Sequence, residues 1–309
     1  MAYVSGTAST FAALLAGLQS ACTANGWTLS GNVLSKGTCF VEATVVVQDY
    51  PCLRVQGGTG VAGGVLTGRS DIGGAQLGAS ASNDTADYST IPIDVPFVFP
   101  LSYEVHIHSA PDEVYLIVNY ATRFYQFVAF GQSAQPGLSG SGNWYAGTDI
   151  ASNRAVSSAS ILADGGRMAA AALNGGLAMC RYDSSQGYSN NAACHHALDA
   201  GASAWQIEGA WRDWYDLNAN TPSAFNSEAV LIPVRMYAYR PSGFVSVVAE
   251  LAHARFVNIG SLDDQQIITL GTDRWKVYPW WARGAVYDAI GYSGNYSGLN
   301  GHALRYDGP

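Results

Sequence analysis

The stretch "VHIHSAPDEVYLIVNY", residues 105–120, decides the fold class. On a strand, His106 and His108 share a face with Ser102 and Glu104, while Tyr103, Val105 and Ile107 take the other. "APDE" then supplies turn residues, and "VYLIVNY" is rich in β-branched and aromatic side chains, so two antiparallel strands are expected. "RFYQFVAFG" adds a third strand, and "GQSAQPGLSGSGNW" closes this meander with turn residues. The alternation predicts a half-buried sheet whose polar face, with both histidines, meets water.

The same stretch offers metal chemistry. His106 and His108 are two apart and Glu113 follows, a spacing that resembles a cupin metal site. That pattern also asks for flanking glycines, yet Pro100 and Tyr120 stand there, and no histidine follows His108 until His195 in "ACHHALD". Cys180, Cys194, His195 and His196 lack the paired spacing of a zinc site. No G-x-S-x-G elbow occurs, and nothing in their spacing selects a glycosidase pair from Asp112, Glu113, Asp213 and Asp216. No catalytic residue, metal or cofactor is therefore expected.

Working outward, "TASTFAALLAGLQSACTAN" (7–25) predicts one amphipathic helix. Phe11, Leu14, Leu15, Leu18 and Cys22 form its stripe, Thr7 or Ser9 its cap, and Gly26 its stop. "WTLSGNVLS" reads as a hairpin around Gly31-Asn32, followed by the strands "TCFVEATVVVQ" and "CLRVQ". From Val55 to Asn83 the glycine density predicts a long loop or short, glycine-broken strands. A second meander, "VLIPVRMYAYRPSGFVSVVAELAHARFVNIGSL", reads as strand, Pro-Ser-Gly turn, strand, Arg-Phe, strand. Pro100 to Arg123 is spaced like Pro233 to Arg255, which leaves open an internal repeat or chance similarity. The expected fold is mainly β, as antiparallel sandwich or barrel-like lobes with the single N-terminal helix. Its divisions are 1–145 (helix and first lobe), 146–220 (an Ala/Ser/Asn-rich intervening segment) and 221–309 (second lobe).

Composition narrows the function classes. Only 12% of the 309 residues are charged, against ~25% in an average soluble domain, and the net charge is −8. No basic run exists to hold nucleic acid, and no window is apolar enough to span a membrane. "MAYVSGTAST" lacks the pattern of a signal peptide, so the five cysteines are expected as reduced, mostly buried thiols.

"FPLSYEVHIHSAPDEVYLIVNYATRFYQFVAFGQS", with "GLSGSGNWYAG", "ITLGTDRWKVYPWW…GHALRYDGP" and the opening "ASTFAALLAGLQSACTANGWTLSGNVLSKG", resembles a family of virion structural proteins. These are encoded among the tail and tail-tip genes of long-tailed, Mu-like siphophages and their relatives. The likeness covers most of the chain and is weakest over 146–220. It implies a non-enzymatic tail-tip or baseplate subunit, assembled in the host cytoplasm and resident in the virion. Other tail proteins and a symmetric three- or six-fold homo-oligomer would be its partners. A host-receptor or glycan-binding tip protein, with or without hydrolase activity, is the alternative. Surfaces expected to join neighbours are the Gly57–Gly78 loop (with Gly57, Gly58, Gly73 and Gly74), the cluster Trp205, Trp211 and Trp214, and the group Trp275, Trp280 and Trp281.

Overall fold

A computed structural model of the chain describes residues 1–46, 52–71, 74–78, 99–121, 124–134, 140–147, 149–150, 192–198, 204–207, 229–240, 244–279 and 300–309. The elements begin with β1 (Ala2–Ala8), α1 (Phe11–Ala24), β2 (Thr28–Ser30), β3 (Val33–Lys36), β4 (Cys39–Val46) and β5 (Cys52–Gly58). Next come β6 (Gly60–Ala62), β7 (Val65–Thr67), β8 (Ala75–Leu77), β9 (Leu101–His108), β10 (Glu113–Ala121), β11 (Phe124–Gln132), β12 (Asn143–Gly147) and β13 (Asp149–Ile150). The rest are β14 (Ala192–His196), β15 (Ala204–Ile207), β16 (Ile232–Tyr239), β17 (Val245–Asn258), β18 (Ile267–Leu270), β19 (Asp273–Pro279) and β20 (Asn300–Arg305). The protein is mainly β, with antiparallel sheets and a single helix among the described residues.

Of the expected stripe the helix buries Leu14, Leu18 and Cys22, with Ala21 besides, while Phe11 and Leu15 are partly buried against the same core. The helix starts later than expected. Thr10 is the N-cap, its hydroxyl accepting from Ala13 N–H at 3.0 Å, and residues 2–8 form a strand instead. β1 pairs with β9 along its whole length, and that long-range ladder overrides the local helical reading of Thr7 and Ala8. The Gly31-Asn32 turn closes β2 on β3 with Ser30 opposite Val33, and Gly31 takes the left-handed φ of 60° that such a turn needs.

Three sheets stack as layers. A seven-stranded central sheet runs β1-β9-β10-β11-β12-β14-β15. On one side lie α1 and a six-stranded sheet, β13-β8-β5-β4-β3-β2; on the other lies a five-stranded sheet, β16-β17-β20-β19-β18. Val105, Ile107, Val114, Leu116, Val128 and Phe130 point into the first core with the helix and the six-stranded sheet. Tyr115, Ile117, Phe127, Ala129 and Trp144 point into the second, against Val234, Met236, Leu251, Phe256 and Leu304. Strands β14 and β15, from the segment expected to intervene between lobes, extend the central sheet beyond β12.

The glycine-rich region forms short strands (β6, β7 and β8) after β5, as one of the two expected readings had it. The second meander differs from expectation. Phe124 opens β11, whereas Arg255-Phe256 lies inside the 14-residue strand β17 and makes no break. β17 instead bulges: Val234 pairs with Leu251 but Pro233 with Arg255, so residues 252–254 have no partner on β16. Phe124 and Phe256 thus sit in different local structures, and Arg123 lies outside the described residues.

Candidate functional site

Between the central and five-stranded sheets lies a buried polar layer, and it contains the residues whose chemistry the sequence advertised. His106 and His108 are each 1% exposed and Glu113 is fully buried, so the expected wet face is corrected to an inter-sheet one. The alternation on β9 was real, but the five-stranded sheet covers its polar face. β9 and β10 place Glu113 beside His108 and Tyr115 beside His106.

Glu113 ties the two sheets together. Its carboxylate accepts from Ala252 N–H (2.8 Å) and His253 N–H (3.0 Å), two amides of the β17 bulge. It also accepts from His253 Nδ1–H (2.8 Å) and the Tyr115 hydroxyl (2.7 Å). The bulge leaves amides without a ladder partner, and a buried carboxylate is the acceptor that satisfies them. Burial, with Glu113 alongside, pushes the Tyr115 hydroxyl well above its usual range and keeps it a donor.

A second cluster lies beside the first. Lys276 Nζ on β19 contacts both Glu104 oxygens at 2.8 and 2.9 Å, and sits 5.2–5.6 Å from the ring centroids of Tyr3, Tyr306 and Tyr278. This pairs a buried ammonium with one carboxylate and three π-faces. The Tyr278 hydroxyl donates to Glu104, leaving its oxygen to accept from His106 Nε2–H at 2.8 Å. Burial and Glu104 together hold the Tyr278 hydroxyl protonated far above its ordinary range.

The histidines differ in how they are held. His106 has Tyr278, while both ring nitrogens of His108 are buried without a hydrogen-bond partner. The His108 ring stacks on His253, centroids 4.2 Å apart and planes 6° apart, and on His106 at 6.4 Å and 20°. Burial lowers His106 to about 4 and His108 to about 2, with the neighbouring His253 and His106 adding to the effect at His108. His302 on β20, between Phe127 and Phe256, is lowered to about 3 by burial alone.

This geometry divides the cupin-like trio. Glu113 is filled by four donors, His106 bonds Tyr278, and stacked imidazoles direct their lone pairs in parallel planes, not toward one point. Among the described residues no group of three His, Cys, Asp or Glu side chains is arranged to hold an ion. The second cluster considered for metal is split by strand alternation. Cys194 faces β17, its thiol 3.8 Å from Val248 O, while His195 faces the opposite core and meets the Trp205 ring at a 51° tilt, centroids 5.3 Å apart. His195 Nδ1 accepts from Ser141 N–H at 3.1 Å and pins the turn before β12. Cys180 lies outside the described residues, as do Asp213 and Asp216, and Asp112 pairs with Lys36 at 2.8 Å.

The described interface candidates are part of the chain's own interior. Gly57, Gly58 and Gly74 are buried. A Cβ on Gly57 would press into the Trp205 ring and come within 2.8 Å of Tyr145. Trp205 and Trp275 are 8% and 6% exposed, packed in the first core and in a small cluster with Val257 and Val277. Gly73, Trp211, Trp214, Trp280 and Trp281 lie outside the described residues. Among the described residues, the large apolar side chains that face solvent include Phe244 where β17 begins, Val65 on the β6–β7 hairpin, and Ile267 and Leu270 on β18.

Sequence reasoning missed Tyr3, His253, Lys276, Tyr278 and Tyr306. The one available signal was a mismatch: β9 carries a carboxylate and two histidines on one face, while its neighbour β10 carries Tyr115 and Ile117 on that same face. A face that mixes large apolar groups with titratable ones is covered more often than wet. No described helix is long and apolar enough to cross a membrane. Neither a family model nor a curated protein matches the chain.

Proposed function

We propose that this chain is a structural subunit of a bacteriophage tail tip or baseplate, acting by association with copies of itself and with other tail proteins. The resemblance of its segments to tail structural proteins supplies the biological setting. The observation that carries the mechanism is where the polar chemistry has gone. The histidines of β9, together with Glu104, Glu113 and Lys276, are consumed in joining two sheets, while Phe244, Val65, Ile267 and Leu270 project outward. A three-layer β body with few charges and apolar side chains at its hairpins and edge suits burial against neighbours. Closed rings of three or six copies about the tail axis are the symmetric solution for such a part.

Electron microscopy of the purified protein, and of virions labelled with an antibody to it, tests this reading. Rings of defined symmetry and label at the distal tail are expected. A stable monomer that fails to co-purify with tail proteins and labels no virion would sink it. Saturable binding of that monomer to host surface polysaccharide would favour a receptor-binding role instead.

A further inference from the structure

We propose that the layer between the central and five-stranded sheets is an acid-opened joint. Protonation of His108 and His106 releases the five-stranded sheet, while α1 and the six-stranded sheet stay folded on the other face. The geometry makes the layer intolerant of an added proton. His108 is 1% exposed and has no partner at either nitrogen, so charging it creates two buried N–H donors facing no acceptor. The new charge would lie face-on to His253 at 4.2 Å.

The surroundings offer little compensation. Facing His108 are His106 on its own strand, Glu113 and Tyr115 on β10, His253 on β17, Arg305 on β20 and the chain's N-terminal amine. The single carboxylate in that set already accepts four hydrogen bonds. Facing His106 are Glu104 on its own strand, Tyr3 on β1, Tyr115 on β10, Lys276 and Tyr278 on β19, and Tyr306 with the backbone of Arg305 after and within β20. Among the described residues Glu104 is the one anion facing His106, and Lys276 occupies both its oxygens.

The asymmetry between the two interfaces makes this a joint and not a general weakness. His106, His108, His253 and His302, four of the six histidines in the chain, lie where the five-stranded sheet meets the central one. On the other face His195 meets Trp205, and the core there is aliphatic and aromatic apart from Cys22 and Cys39, while His196 on β14 accepts from Leu198 N–H. Protonation therefore acts on one interface. His106, His108 and His302 titrate near 6.5 once opened, but near 4, 2 and 3 when closed, and together shift the opening equilibrium about 20,000-fold toward the open form between pH 7.5 and pH 5.

Hydrogen exchange followed by mass spectrometry at pH 7.5 and pH 5, corrected for intrinsic rates, tests the joint. Segments 245–258, 273–279 and 301–305 should lose protection at pH 5, while 11–24 and 39–46 keep theirs. The His108→Phe variant retains a ring against His253 without a titrating group, and should make the pH response about 30-fold smaller. NMR of wild-type protein labelled at histidine should show His106 and His108 gaining protons only as the joint opens, which keeps the idea testable if the variant does not fold. Unchanged protection of the five-stranded sheet at pH 5 would overturn the proposal. So would simultaneous opening of all three sheets, or a full pH response in His108→Phe.

Discussion

The imidazoles of His108 and His253 lie parallel, 6° apart in plane and 4.2 Å between centroids, one from each of two packed sheets. Glu113 sets this arrangement, because His253 Nδ1–H donates to it while the backbone of the same residue does likewise. Glu113→Gln keeps the shape but replaces one acceptor oxygen with an amide donor, so N–H would face N–H. A loss of about 3 kcal/mol is expected, read as a lowered urea midpoint. A change below about 1 kcal/mol would show that the carboxylate is not what holds the bulge.

Lys276 and Glu104 form the second tie, at 2.8 and 2.9 Å. Lys276→Met removes the cation and leaves a half-buried carboxylate with the Tyr278 hydroxyl but no counter-charge, which should cost about 3 kcal/mol. Adding Glu104→Gln should return part of that loss, giving a coupling of about 1–3 kcal/mol in a double-mutant cycle. Strict additivity of the two changes would mean the pair is incidental.

His302 is lowered to about 3 by burial between Phe127 and Phe256. Its folded value lies below its ordinary 6.5, so the folded state binds fewer protons than the unfolded one. The resulting stability is present in full above pH 6.5 and drains away as the pH falls toward 3, at about 1.4 kcal/mol per pH unit. His302→Phe should therefore reduce the loss between pH 7.5 and pH 5 by about 2 kcal/mol, measured by urea unfolding at both values. An unaltered pH dependence would refute this.

Gly57 is where the first core admits Trp205. Gly57→Ala forces a methyl against the Trp205 and Tyr145 rings and should cost about 2 kcal/mol. Combining it with Trp205→Leu should recover part of the cost, with thermal melts of all three variants as the readout. Wild-type stability in the single variant would show that the ring has room to move.

The thiols of Cys22, Cys39, Cys52 and Cys194 are buried. Burial pushes Cys22 up to about 12 and Cys39 higher still, so neither supplies thiolate near neutral pH. A disulfide exchange reagent at pH 8 should leave these four unmodified in native protein and label them on unfolding, as resolved by peptide mass spectrometry. Rapid native labelling of Cys22 or Cys39 would contradict their burial.

Much of the architecture was legible because it is local. The Leu14–Leu18–Cys22 stripe, the Gly31-Asn32 turn and the β9–β10 hairpin are all written within about a dozen residues of themselves. The errors share one cause. Alternation along β9 says that its faces differ, but not whether water or another sheet meets the polar one. That answer lies in His253, Lys276 and Tyr278, more than a hundred residues downstream. β1 was hidden for the same reason, since its partner β9 begins at Leu101. Trp205 and Trp275 were read as surface anchors because an aromatic residue carries no local mark of which side it faces.

The placement of β20 has a consequence for biosynthesis. It inserts between β17 and β19, whose backbone ladders among the described residues are joined through it. On the ribosome, both neighbours emerge first as separate hairpins, β16 with β17 and β18 with β19, each with a raw edge. Until residues 300–305 are translated and slide into that slot, the nascent chain carries two unsealed ladders, the kind of edge that mispairs with other chains.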